Sequence, residues 1–161
     1  AKTASGTYGS VASGATFADD SYFTGTGTVT LGGDYDTWLG GFTFAPGADT
    51  TPAGDPDGDG MSNQEEYAFG LNPTLASSAN PITQQLDPVT GNFQYTRRAT
   101  PAATKLTYTV FTSGDLATWA TGGATETGFT TAGDIETVTV NVTTPPADGK
   151  LFVRVVATPT P

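Results

Sequence analysis

The chain has 161 residues, room for one medium domain or for a small domain with appendages. It contains no Cys and no His, which removes thiol nucleophiles, imidazole bases, Ser-His-Asp triads, disulfides and the usual zinc sites. Six basic residues face sixteen acidic ones, and the net charge of -10 disfavours nucleic acid and anionic membrane surfaces while making a divalent cation the natural counter-charge.

Residues 1–33 read as an N-terminal β-strand arm. The run from Ser21 to Leu31, SYFTGTGTVTL, alternates cleanly. Thr24, Thr26, Thr28 and Thr30 share one side; Phe23, Gly25, Gly27, Val29 and Leu31 share the other. Gly25 and Gly27 leave a shallow face, suited to close packing or to the approach of another backbone. Gly32-Gly33 ends the strand.

Residues 34–80 read as a helical and metal-binding segment. DYDTWLGGFTF predicts a short helical turn capped by Asp34 or Asp36, with Trp38, Leu39 and Phe42 as its buried side. The Pro- and Gly-rich stretch APGADTTPAGDPDGDG cannot be regular structure. SNQEEYAFGLNP then carries strong helix punctuation. Ser62 and Glu65 form a Ser-x-x-Glu capping box, Gly70 stands where a C-terminal glycine should, and Pro73 lies just beyond. Tyr67, Ala68 and Leu71 are the expected core contacts of this two-turn helix. A helix this short needs an anchor outside itself.

The chemistry concentrates between Asp55 and Glu66. The twelve residues DPDGDGMSNQEE fit the calcium-loop pattern D-x-D-x-D-G-x5-E. Calcium is a hard cation that takes six to eight oxygens at roughly 2.3–2.6 Å. Asp55, Asp57 and Asp59 alternate, so a curled loop can aim all three carboxylates inward, and Gly60 permits the sharp turn. Met61 offers its backbone carbonyl, Asn63 stands at the often water-mediated ninth position, and Glu66 closes the shell from the first turn of the helix. Asp49 reads as a plain loop acid rather than a further ligand. Magnesium tolerates such a multi-carboxylate cage poorly. The segment entering the loop, TTPAG, cannot be a helix, so the site is half an EF-hand. A sensor needs two helices to swing, which points away from signalling.

Residues 81–161 read as all β. Candidate strands are NFQYTR, LTYTVFT, ATETGF, IETVTVNV and KLFVRVVA, with ITQQL possible. Turn signals separate them: DPVTGN, TPAAT, SGD, TTAGD and TTPPADG. Their number and spacing predict an antiparallel β-sandwich of immunoglobulin or fibronectin type III size.

The half-site with only an exiting helix resembles dockerin and thrombospondin type 3 loops. A wider resemblance rests on DYDTW, DPDGDGMSNQEEYAFGLNP, FQYTRR and YTVFTSGDLATW. Together these resemble a C-terminal region of secreted or surface proteins of planctomycete and verrucomicrobial bacteria. That resemblance covers residues 34–161 and implies an extracellular location and a calcium loop followed by a small β-sandwich. It does not extend to residues 1–33.

The remaining residues carry weaker signals. Arg97-Arg98 suits internal pairing with acids such as Asp115 or Glu136 better than an anionic-glycan contact. Trp119 suits a core or corner aromatic better than a sugar-stacking platform. Asn141 opens a formal glycosylation sequon inside a predicted strand, where it carries little weight. Charged residues are only 14% of the chain, against roughly 25% in ordinary soluble domains, and Thr makes up about a fifth. Thr suits the solvent face of strands. The small, polar start AKTASGTYGS is that expected of a mature N-terminus after signal removal.

The expected function is an extracellular, calcium-stabilised structural or adhesive module that is not an enzyme and does not insert in a membrane. Self-association is the expected partnership, through the strand at 22–31 completing the sheet of a neighbouring copy. Other cell-surface components and glycans are further candidate partners. The rival readings are a carbohydrate-binding module, which needs a coplanar strip of exposed aromatics, and a hydrolase, which needs two carboxylates facing across a cleft.

Overall fold

The structure, a computed structural model, describes residues 6–9, 17–18, 28–31, 34–100, 105–143 and 150–159, with backbone alone up to residue 34. The chain divides into two compact units, Ala1–Thr43 and Phe44–Pro161. It is mainly β, and nearly all its strand pairs are antiparallel.

The smaller unit holds three strands, β1 (Gly6–Gly9), β2 (Phe17–Ala18) and β3 (Thr28–Leu31). They form one sheet in the order β2-β1-β3, with β1 and β3 antiparallel from Gly6↔Leu31 to Gly9↔Thr28. The C-terminal part of the predicted strand is therefore paired within its own chain; residues 21–27 and Gly32-Gly33 lie outside the described residues. Helix α1 (Asp34–Leu39) forms as the sequence predicts. Its aromatic side is half-buried rather than buried: Trp38 lies 5.7 Å from Tyr35 and 5.1 Å from Phe42, ring centre to ring centre. Asp34 and Asp36 both lie inside the helix, so neither is its cap, and the residue before Asp34 lies outside the described residues.

The larger unit opens with the acidic loop and helix α2 (Asn63–Phe69), followed by β4 (Ile82–Gln84), β5 (Asn92–Arg98), β6 (Leu106–Ser113), β7 (Ala120–Thr121), β8 (Ala124–Ala132), β9 (Ile135–Val142) and β10 (Phe152–Pro159). The five firm strand predictions and the optional one at Ile82 all correspond to strands. The two-residue β7 carries no sequence signal. The strands make two sheets, ordered β4-β5-β9-β8 and β10-β6-β7.

Alternation explains the core. In β9 every second residue is buried, from Glu136 through Val138 and Val140 to Val142, and the Thr and Asn between them face outward. Strand β5 supplies the matching face, with Phe93 opposite Val140 and Tyr95 opposite Val138. Phe69 of α2 joins this cluster. Tyr108 and Val110 of β6, and Val153, Val155 and Ala157 of β10, pack against it from the other sheet. The two sheets thus share one hydrophobic core. Phe69 is a core residue that helix periodicity did not single out, whereas Leu71 is half-buried at the margin.

Candidate metal centre

The loop is built by its own carboxylates. Asp55 Oδ1 accepts hydrogen bonds from the N–H groups of Gly58 and Asp59 at 2.9 and 3.2 Å, and its Oδ2 accepts from Gly60 at 3.0 Å. Asp57 Oδ1 accepts from the Asp59 N–H at 3.3 Å, and Asp59 Oδ1 from Met61 at 2.8 Å. Gly58 and Gly60 take φ of +77° and +93°, a backbone region costly for residues with a Cβ. The curl brings ligand oxygens of Asp55, Asp57 and Asp59 within 4.8 Å of one another, a group that could hold a metal ion.

Helix α2 presents the next candidate ligand. Ser62 is the N-cap, and both halves of the capping box are present: its side chain accepts from the Glu65 N–H, while the Glu65 carboxylate accepts from the Ser62 N–H at 2.9 Å. Gly70, in the left-handed conformation, closes the helix, with the Leu71 N–H returning to Glu66 O at 2.8 Å. The positive φ favours glycine there, and a Cβ at Gly70 would also force the Ile135 side chain to shift. This local frame places Glu66 on the inner side of the first turn.

Glu66 is fully buried, and neither of its carboxylate oxygens has a hydrogen-bond partner. Asp57 Oδ2, Asp59 Oδ2 and Asn63 Oδ1 are buried and unpartnered as well. Burial pushes the Glu66 carboxyl up to about 7, and the negative charges of Asp57, Asp59 and Asp55 push in the same direction. Burial, with Asp59 and Asp55 beside it, also raises Asp57. Buried carboxylates in native proteins are paired, protonated or bound to metal. Hard oxygen donors converging without a counter-charge are the donor set of a hard divalent cation.

The segment before the loop takes the place of an entering helix. Residues 44–62 carry turns and bends but no helix. The Asn63 side-chain amide donates to the carbonyls of Asp49 and Thr51 at 3.0 and 2.8 Å, and its backbone N–H donates to Gly54 O. That anchors Asn63 Oδ1 where it stands and wraps residues 49–54 over the start of α2. Gly54 is buried in this wrap, and a Cβ there would collide with Asp49. The Asp49 carboxylate is exposed and accepts from the Thr51 N–H and hydroxyl, so it closes its own turn and stays out of the acid cluster. The Met61 side chain packs against the core.

The far end of α2 is tied to the sheets by three side chains. Arg98 Nε donates to Tyr67 O at 3.1 Å, the Tyr108 hydroxyl to Ala68 O at 2.6 Å, and the Thr96 hydroxyl to Phe69 O at 2.8 Å. These satisfy carbonyls that a helix end leaves without intrahelical partners. The Arg98 guanidinium also lies 4.5 Å above the Tyr67 ring. Sequence reasoning noticed Arg98 but not this role. The signal available was a helix too short to stand alone beside a strand rich in donors.

Arg97 faces a different cluster. Its Nε donates to Glu136 at 2.7 Å, and its two terminal nitrogens donate to both oxygens of Glu126 at 2.8 and 3.0 Å. Glu136 was an expected partner; Asp115 is not one. Asp115 instead accepts from Ala117, Thr118 and Ser113, which holds its carboxyl down at about 2 and fixes the corner before Trp119. Trp119 is half-buried, its indole N–H donates to Leu116 O, and Arg154 lies 4.5 Å above its ring. The Asn141 amide is engaged with Thr90 O and Asn92.

Among the described residues no helix is long and apolar enough to cross a membrane. The chain matches no protein-family model, no curated protein and no solved structure.

Proposed function

We propose that this protein is an extracellular, calcium-stabilised structural or adhesive module, not an enzyme, that self-associates by β-strand addition. The observation that carries the metal is Glu66: fully buried, unpartnered and surrounded by three further acids. Calcium occupies the site through Asp55, Asp57, Asp59, the Met61 carbonyl and Glu66, with Asn63 at the ninth position. Its radius and flexible coordination suit a carboxylate cage better than magnesium does.

The ties from Arg98, Tyr108 and Thr96 to α2 support a structural rather than a signalling role. They join the metal-loaded helix to β5 and β6, so ion binding stiffens the sheets instead of releasing a hinge. The strand orders support a sandwich of immunoglobulin constant type, in which one sheet runs A-B-E-D and the other contains C and F. In that frame β4, β5, β9 and β8 are A, B, E and D, and β6 and β10 are C and F. The resemblance to surface proteins of planctomycete and verrucomicrobial bacteria agrees with an extracellular setting.

The test is a thermal melt in calcium and in chelator. At free calcium one hundred times its dissociation constant, the expected stabilisation is about 2.7 kcal/mol. Superimposable melts would end the metal reading. Electron microscopy of the protein in calcium buffer tests the assembly: extended particles are expected, and monodisperse monomers at every concentration would overturn it.

A further inference from the structure

Among the described residues the larger unit has four sheet edges, and three of them are blunted. Strand β4 has three residues and a register shift between Ile82 and Gln84. Strand β8 is bulged between Glu126 and Gly128 and carries Glu126 at the irregularity. Strand β7 has two residues. Short strands, bulges and charges are the devices by which proteins block edge-to-edge pairing. Strand β10 has none of the first two: it runs eight residues in unbroken register with β6, from Phe152↔Ser113 to Pro159↔Leu106. Among the described residues nothing pairs with its outer side. In the strand frame above, that is the side where a seventh strand, G, belongs.

We propose that the outer edge of β10 is the acceptor in the strand addition, and that its occupant is the 22–31 segment, with β3 at its end, of a second copy of this chain. The proposal rests on the assembly reading and specifies its interface. Among the described residues strand β3 is itself an edge, because its sheet runs β2-β1-β3. Edge meeting edge therefore joins two three-stranded sheets without breaking the pairing of either. Within one chain β3 and β10 belong to separate sheets.

Burial points to the same sheet. Val153, Val155 and Ala157 face the core yet are only half-buried, as are Tyr108 and Val110 of the neighbouring β6, whereas Val138, Val140 and Val142 of β9 are 5% exposed or less. A strand laid along β10 covers the β10 residues as β5 and β8 cover those of β9. Near the start of β10, Leu151 and Leu86 line a shared cleft of about 350 Å³. Charge agrees in either strand direction. Lys150 just precedes β10 and Arg154 lies within it, two of six basic residues in the chain. The 22–31 segment is uncharged, and it is flanked by Asp19-Asp20 on one side and Asp34 and Asp36 on the other.

The chain has no Cys, so cross-linking reads without background. Single-cysteine variants of the full chain at Val29 or Thr30 are mixed, in calcium buffer under mild oxidation, with variants at Val155 or Val156. These choices sample both faces of each strand. Disulfide-linked dimers between the two sets are expected, and chains carrying both cysteines should give a ladder of covalent oligomers. Leu75→Cys, at a site 51% exposed and outside that cleft, should cross-link to neither set. Double variants that close only within their own chain would overturn the proposal. So would assemblies visible by electron microscopy with no cross-link between the sets, which would leave the assembly reading standing with another edge. Monomers throughout, with no cross-link, would sink both.

Discussion

Two clusters of buried charge sit in the larger unit and differ in one respect. At the end of β5, Arg97 is held between Glu126 and Glu136, and every charge there has an opposite partner supplied by the chain. Burial alone would lower the Arg97 pKa, but its hydrogen bonds to the two glutamates outweigh that and raise it, so the guanidinium stays charged. In the acidic loop, Asp55, Asp57, Asp59 and Glu66 converge with no basic residue among them. The first cluster is complete as folded; the second is a group that a metal ion could complete. The comparison separates internal pairing supplied wholly by the chain from a site whose contribution should depend on metal and pH.

The largest effect should come from breaking the complete cluster. Arg97→Ala leaves Glu136 buried without its partner, and loss of one member of a buried pair costs about 3–5 kcal/mol. Urea denaturation should show the same loss in calcium and in chelator. A loss confined to calcium would mean that the two clusters are coupled.

The next effect belongs to Glu66. Its folded pKa is raised from 4.5 to about 7, so between those values the metal-free folded state binds more protons than the unfolded chain. Metal-free stability should therefore fall as pH rises from 4.5 to 7, and the calcium-induced gain should be largest at and above pH 7. Glu66→Gln should abolish the calcium response. In chelator at pH 8 it should melt above the unmodified protein, because it removes an uncompensated buried charge. A variant that melts lower in chelator and still responds to calcium would remove Glu66 from the ligand set.

Smaller changes test how the loop is connected. Ser62→Ala removes the N-cap of α2 and should cost about 1 kcal/mol. Tyr108→Phe removes the hydroxyl that donates to Ala68 O and should cost about 0.5–1.5 kcal/mol. Burial raises the Tyr108 phenol pKa, so it remains a neutral donor and the loss should not depend on pH below 9. Hydrogen exchange should show faster opening of α2 in both variants, and unchanged exchange in Tyr108→Phe would mean that the helix holds without this tie.

The sequence by itself determined what depends on neighbours along the chain. The ligand spacing from Asp55 to Glu66, the capping box at Ser62 and Glu65, the Gly70 stop and the strands of residues 81–161 rest on twelve-residue, four-residue and two-residue patterns. Each is legible without knowing the fold. Tertiary structure decided whatever joins distant segments. Thr96, Arg98 and Tyr108 reach α2 across 27 to 40 residues, and Arg97 finds Glu126 and Glu136 across 29 and 39. No local pattern selects Glu136 over Asp115, because both are acids and only sheet register sets one opposite Arg97. The half-buried aromatics of α1 and the core role of Phe69 likewise followed from packing. So did the open side of β10: any alternating segment can be read as a strand, but only the order of strands in a sheet says which one is left at the edge.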